Sequence, residues 1–198
     1  MRYPDNEYGA LLVSPHPDDA ELGCAYLLGS SSTVLCLSAA TTGRAAEAVL
    51  GAKAAGCDLI QRHLEDGRLG EDMPLLIAAI EWGIEQTRAR IVAGPPLLDE
   101  HQDHRAVAHA IRSATRRSAL TVVEYETPST PPEWAPDTIV PLAEESLTRQ
   151  LDAVAEHTSQ AGHPYVEPGA LRARSERWAH RIGHARAEAY RTVRRATL

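Results

Sequence analysis

At 198 residues, with 43% apolar and 24% charged side chains, the chain is long enough to bury the core of one domain and shows no sign of a second. A formal net charge of -7 excludes the basic footprint of a nucleic-acid binder. The late arginines 172, 174, 177, 181, 186, 191, 194 and 195 are interleaved with Glu176 and Glu188 and read as a solvated helix face.

In chain order, a polar lead-in gives way to the apolar run Ala10-Leu11-Leu12-Val13, a first strand closing at Ser14. A helix is predicted over residues 18–28 and a second, β-rich strand over 32–38. A small-residue loop at 39–43 leads into an alanine-rich helix over 44–55, ended by Gly56. Residues 57–64 read as a third strand, 65–72 as a loop, and Pro74 opens a helical run to about Thr87, where proline suits the first turn. A fourth strand spans 90–93, a helix 106–118, and a clear alternating strand 120–127. After a proline-rich surface loop at 128–136, residues 138–141 form a short edge strand, proline marking its end. Two helices, 143–157 and 169–193, finish the chain. Strands alternating with helices predict βαβ units: a single-domain, Rossmann-like α/β fold with a mainly parallel sheet flanked by helices.

Two turns carry the chemistry. The first is Ser14-Pro15-His16-Pro17-Asp18-Asp19-Ala20-Glu21-Leu22-Gly23-Cys24, between the first strand and its helix. That is where side chains at the carboxyl edge of an open sheet meet ligands. Adjacent residues entering a helix point about 100° apart, so Asp18 and Asp19 serve different tasks, one facing a metal and the other substrate. The second turn, Asp99-Glu100-His101-Gln102-Asp103-His104, follows the fourth strand. His101 and His104 share a face if the turn is helical. Two or three histidines and a carboxylate from two such turns suffice for a catalytic zinc with an open position.

His16-Pro17-Asp18-Asp19 with Ala20-Glu21-Leu22-Gly23, and His101-Gln102-Asp103-His104 downstream, resemble the paired signature of the LmbE/PIG-L family of zinc-dependent N-deacetylases. Weaker blocks resemble the family in order: Thr42-Gly43-Arg44-Ala45-Ala46-Glu47, Glu65-Asp66-Gly67-Arg68-Leu69, His157-Thr158-Ser159-Gln160 and Ala187-Glu188-Ala189-Tyr190. Ala25 and Tyr26 depart from it, standing where the family often has a glycine pair.

The resemblance implies His16, Asp19 and His104 as the ligands of a divalent metal, zinc or another such as ferrous iron. Asp18, beside a ligand but pointing elsewhere, is the candidate general base. His101 is the cationic neighbour that stabilises the oxyanion, protonates the leaving amine, or both, and Asp103 holds an imidazole tautomer. Arg44 and Asp66 match positions associated with substrate hydroxyls; Glu47 and Arg68 are supporting residues. His157 could line the pocket, but for it and for His63, His109, His163, His180 and His184 a structural role is the simpler reading. Trp82 and Trp178 read as packing, and Trp134, in the proline-rich loop, as either packing or a sugar platform. The expected activity is removal of an N-acetyl group from an amino sugar or related small metabolite. A non-sugar natural-product intermediate or thiol conjugate stays open as substrate. A non-haem iron oxygenase fits the His-x-x-Asp spacing and βα alternation poorly, and a non-catalytic sugar-binding domain would not need an intact set of ligands, base and acid.

Cys24, Cys36 and Cys57 lack any CxxC spacing and read as buried thiols in a reducing compartment. With no basic-then-apolar leader and no apolar run of spanning length, the expected location is the cytoplasm. The expected partner is a small N-acetylated molecule, with neither nucleic acid nor membrane, and a homo-oligomer is left open. Lys53 is the only lysine, and with abundant alanine this suggests a GC-rich bacterial genome.

Overall fold

The computed structural model describes residues 9–38 and 41–196. The polar lead-in and the first two residues of the 39–43 loop lie outside them. Strands β1 (Ala10–Ser14), β2 (Ser32–Ser38), β3 (Asp58–Leu64), β4 (Ile91–Gly94), β5 (Thr121–Tyr125), β6 (Thr138–Pro141) and β7 (Ala187–Arg194) form one sheet in the order β3-β2-β1-β4-β5-β7-β6. The first five run parallel, and β7 lies antiparallel to both β5 and β6. The helices are α1 (Asp19–Gly23), α2 (Thr42–Ala55), α3 (Met73–Thr87), α4 (Gln102–Ala114), α5 (Glu144–Ala155) and α6 (Pro168–His180). This is the mainly parallel, helix-flanked α/β sheet that the alternation predicts, with β6 at its edge.

Alternation along β1 and β2 explains why both faces of the sheet are covered. Leu11, Val13, Leu35 and Leu37 pack with Leu76 and Ile80 of α3 and with Val107 and Ile111 of α4. Ala10, Leu12, Val34 and Cys36 pack on the other face with Ala20, Cys24, Ala55 and Ala153. Strands buried on both sides read as continuous apolar runs, as these do. Local signals place the helices: Thr41 Oγ1 accepts from Arg44 N at 3.3 Å to open α2, and Gly56, at φ 67°, closes it.

Three predicted helices change their extent. The 18–28 helix is cut to the five residues of α1, because the amides of Ala25 and Tyr26 leave the helical path to donate to the Glu188 carboxylate at 2.9 and 2.8 Å. Gly23 is also pressed against the Tyr125 ring, so closely that a β-carbon would sit 2.2 Å from Cδ2. The 106–118 helix is displaced toward its start, since His101 Nδ1 accepts from Asp103 N at 3.2 Å and caps α4 at Gln102. The 169–193 helix is corrected outright: α6 stops at His180, Gly183 turns the chain at φ 70°, and residues 187–194 become β7. Its alanine and arginine content favours helix, but β7 fills the slot between β5 and β6 and pairs its backbone with both, so tertiary context overrides propensity.

Candidate active site

The strand order reverses direction between β1 and β4, the switch point at which open α/β sheets bind ligands. All five parallel strands deliver residues to that edge. The turn after β1 brings His16, Asp18 and Asp19; the connection after β2, Arg44; that after β3, Asp66; that after β4, Asp99, His101, Asp103 and His104; that after β5, Pro128 and Ser129. Together with Gln160 and Tyr165 from the segment after α5, most of these line an open cleft of about 290 Å³.

The β1 turn is held by its own polar groups. Ser14 Oγ donates to the His16 carbonyl at 2.7 Å and accepts from Ala20 N at 3.0 Å, while His16 N donates to Asp19 Oδ2 at 2.9 Å. Between them Asp18 takes φ 100°, a left-handed conformation that non-glycine residues rarely adopt and that concentrates at functional sites.

Three atoms from the two turns form a nearly equilateral triangle. His16 Nδ1 lies 3.3 Å from Asp19 Oδ2, Asp19 Oδ2 lies 3.2 Å from His104 Nε2, and His104 Nε2 lies 3.4 Å from His16 Nδ1. A tetrahedral ion with bonds of about 2.0–2.1 Å requires ligand atoms about 3.3 Å apart, so this donor set fits a divalent ion of that kind. His101 also approaches, its ring centroid 4.8 Å from those of both His16 and His104, and the three histidines together offer converging nitrogens.

Outer partners orient these rings. His16 Nε2 faces Asp103 Oδ2 and Asp66 Oδ1, each at 3.1 Å, and Asp103 is itself fixed by Gly67 N at 2.7 Å and Leu69 N at 3.1 Å. His104 Nδ1 lies 3.2 Å from Asp99 Oδ2, close enough for an ion pair though not aligned as a hydrogen bond. Asp99 is buried and accepts from Thr127 Oγ1 at 2.5 Å, Ser129 Oγ at 2.6 Å and His101 N at 2.8 Å. Carboxylates behind metal-site histidines set tautomer and basicity.

The electrostatics follow from these contacts. Burial alone would lower the His16 imidazole, yet its bonds to Asp103 and Asp19 hold it up at about 9. His104 is likewise opposed by burial and lifted by Asp19 and Asp99 to about 10. Asp19, whose burial favours the neutral acid, is held well below the carboxylate range by the two histidines. Asp18 goes the other way: burial and the neighbouring Asp19 charge push it to about 7, against the pull of Arg44.

His101 shifts in the opposite direction from its two histidine neighbours. Burial, then the charges of His16 and His104, lower its pKa, and its Nδ1 is occupied as an acceptor. An Nδ1 that accepts carries no proton, which leaves Nε2 as the donor of the ring.

Arg44 and Asp66 both line the cleft, but each is tied to the β1 turn, Arg44 through Pro17 and Asp18 and Asp66 through His16. Glu47 lies farther out, accepting from Thr158 Oγ1, Ser159 N and Ser159 Oγ at 2.6–2.8 Å, and Arg68 pairs with Glu65 and Glu71 on the surface. His157 is buried 3.5 Å from Glu21 and does not line the cleft. Trp134 packs inside, its Nε1 donating to Glu124 at 3.2 Å, with Trp178 edge-on to it. Asp99, Ser129, Gln160 and Tyr165 were not anticipated as site residues. Asp99 carried a signal, standing two residues before His101 after a strand, and Gln160 closes the weak block His157-Thr158-Ser159-Gln160; Ser129 and Tyr165 lie far along the chain and carried none.

Residues 11–115, just over half the chain, match the profile of PIG-L, GlcNAc-PI de-N-acetylase. The chain belongs to this family. As a member it is an N-deacetylase, a hydrolase of amide bonds in a family whose members depend on metal. The uncharacterized deacetylase YaiS of Escherichia coli K12 is 29% identical over 172 residues, covering 76% of this chain and 91% of that protein. The conserved protein TT1542 from Thermus thermophilus superposes with a TM-score of 0.81 at 25% identity, covering 96% of each chain. The N,N'-diacetylchitobiose deacetylase of Pyrococcus horikoshii shares the fold, with a TM-score of 0.79 at 18% identity over 98% of this chain and 86% of its own. Among the described residues no helix of this enzyme is long and apolar enough to cross a membrane.

Proposed function

We propose that the enzyme is a zinc-dependent hydrolase that removes the acetyl group of a small N-acetyl amino sugar. The reading is carried by the His16–Asp19–His104 triangle, whose edges of 3.2–3.4 Å suit a tetrahedral ion, with the Asp18 carboxyl opening on the same cleft. Bound there, the ion would supply Lewis acidity to the amide carbonyl and lower the pKa of a water toward ~7.

The remaining work falls to the chain. Asp18 takes the proton of the attacking water and, as the C–N bond breaks, returns it to the departing nitrogen, so that acetic acid and the free amine are formed, leaving as acetate and ammonium once the acid's proton passes to the amine, and the carboxylate is regenerated. His101, donating through Nε2, stabilises the negative charge that develops on the carbonyl oxygen. Asp103 and Asp99 hold His16 and His104 in ligating orientation. The amino-sugar assignment is supported by the polar lining of the cleft, where Arg44, Asp66, Ser129, Gln160 and Tyr165 can meet hydroxyls, and by the shared fold with a diacetylchitobiose deacetylase.

The test is acetate release from a panel of N-acetyl compounds by the zinc-loaded and the chelator-treated protein. N-acetylglucosamine and its glycosides are expected to outpace simple N-acetylamines, and chelation to abolish turnover. Faster turnover of an aliphatic N-acetyl compound would remove the sugar from the proposal. Full activity after complete metal removal would remove the zinc.

A further inference from the structure

We propose that Arg44 is a positioning residue for Asp18: its guanidinium anchors the left-handed Pro17–Asp18 turn and so keeps the Asp18 carboxylate directed into the cleft. The inference rests on the deacetylase reading, in which Asp18 is the base, and goes beyond a contact between Arg44 and substrate.

Asp18, at φ 100°, lies well outside the narrow left-handed well where non-glycine residues are tolerated. Arg88, the other such residue among those described, sits at φ 50° at the end of α3, an ordinary helix stop. A conformation like that of Asp18 persists only where its surroundings impose it. The five-residue α1 cannot do so alone, and the Asp18 side chain makes no capping hydrogen bond to it.

Arg44 is placed to supply the restraint. Its Nη2 donates to the Pro17 carbonyl at 2.8 Å, on the peptide unit that leads directly into Asp18. The same nitrogen lies 3.7 Å from Asp18 Oδ2, and among the described residues no other side chain is within ion-pair distance of that carboxylate. The Arg44 side chain is only 20% exposed, and its Nε is buried with no partner, as expected of a guanidinium pulled down onto the turn and not extended toward solvent. The metal-binding part of the turn is secured separately by Ser14, Asp19 and Asp103. Loss of Arg44 should therefore disturb the base while sparing the ligands.

The experiment compares wild type, Arg44→Ala, Arg44→Lys, Asp18→Asn and the Arg44→Ala/Asp18→Asn pair, each with zinc content measured. The proposal expects Arg44→Ala to retain about one equivalent of zinc and to lose kcat about tenfold or more, with KM changed less than about threefold. In the Asp18→Asn background the same substitution should change kcat less than about twofold, because the residue it positions no longer acts as a base. Arg44→Lys, with a shorter and single-pointed donor, should fall between. A raised KM with intact kcat, or equal kcat losses in both backgrounds, would overturn it in favour of substrate contact alone.

A crystal structure of Arg44→Ala gives a readout independent of activity. Asp18 should leave φ 100° or shift its carboxylate by more than about 1 Å, with His16, Asp19 and His104 in place; an unmoved Asp18 overturns the proposal. Inactivity of the wild type toward every N-acetyl compound would instead strike the deacetylase reading, and the crystallographic comparison would still decide the role of Arg44.

Discussion

At the level of single residues, the site turns two adjacent carboxylates toward different partners. Asp19 Oδ2 sits within 3.3 Å of both ring nitrogens of the triangle, whereas Asp18 turns into the cleft beside Arg44. Asp19→Ala and His104→Ala are therefore expected to lose tightly bound metal and activity together, since three ligands leave none in reserve. Retention of a full equivalent of zinc after brief dialysis against chelator would contradict the ligand set. Asp18→Asn should keep its metal and lose kcat by roughly 10² or more, because the amide cannot accept the proton of water. Asp99 yields a third expectation. Asp99→Ala removes the carboxylate behind His104 and leaves the Thr127 and Ser129 hydroxyls without their acceptor, so metal affinity should drop by about 10–100-fold in a competition titration.

At the level of secondary-structure elements, α1 is the short piece on which the catalytic turn depends, and distant elements hold it. Tyr125 of β5 donates its hydroxyl to the Val13 carbonyl at 2.8 Å and lays its ring against Gly23, while Glu188 of β7 accepts the two amides that follow. A methyl group at position 23 must displace that ring or move α1. Gly23→Ala is therefore expected to destabilise by about 1–3 kcal/mol, the usual range for overpacking. For a chain of this size that lowers the melting temperature by roughly 2–12 °C, read by calorimetry. If the strain is relieved by moving α1, turnover falls as well. An unchanged melting temperature would mean that the Gly23–Tyr125 contact is looser than the structure has it.

For the whole molecule, two apolar layers cover the faces of the sheet, and one of them holds all three thiols. Cys24 and Cys36 are fully buried, and Cys57 is partly so. Burial pushes the Cys57 thiol up to about 12 and raises Cys24 and Cys36 as well. For an acid that is neutral when protonated, a raised pKa means that less thiolate is present at any given pH. At about pH 8 all three should react with an aromatic disulfide reagent far more slowly than a free cysteine, and all three should titrate promptly in guanidinium chloride. Fast labelling of the native protein would show that these layers open locally.

The βα alternation was readable because strands buried on both faces are continuously apolar, and because caps such as Thr41 and Gly56 act within a few residues. The two metal-site turns were readable for the same local reason: His16, Asp18 and Asp19 lie within four residues, as do His101, Asp103 and His104. Other features depend on residues far apart in sequence. The last strand looked helical because its alanines and arginines favour helix locally, and only the open slot between β5 and β6 makes pairing worth more. Nothing nearby in sequence says that the His101 Nδ1 will cap α4 beside two other histidines. Nothing near Arg44 in sequence says that its guanidinium will also reach Pro17 and Asp18, far back along the chain. Sequence by itself determined which polar groups are candidates for the chemistry and which turns carry them, through short-range periodicity and spacing; the orientation and restraint of those groups were decided only when the switch point between β1 and β4 brought five connections to one edge of the sheet.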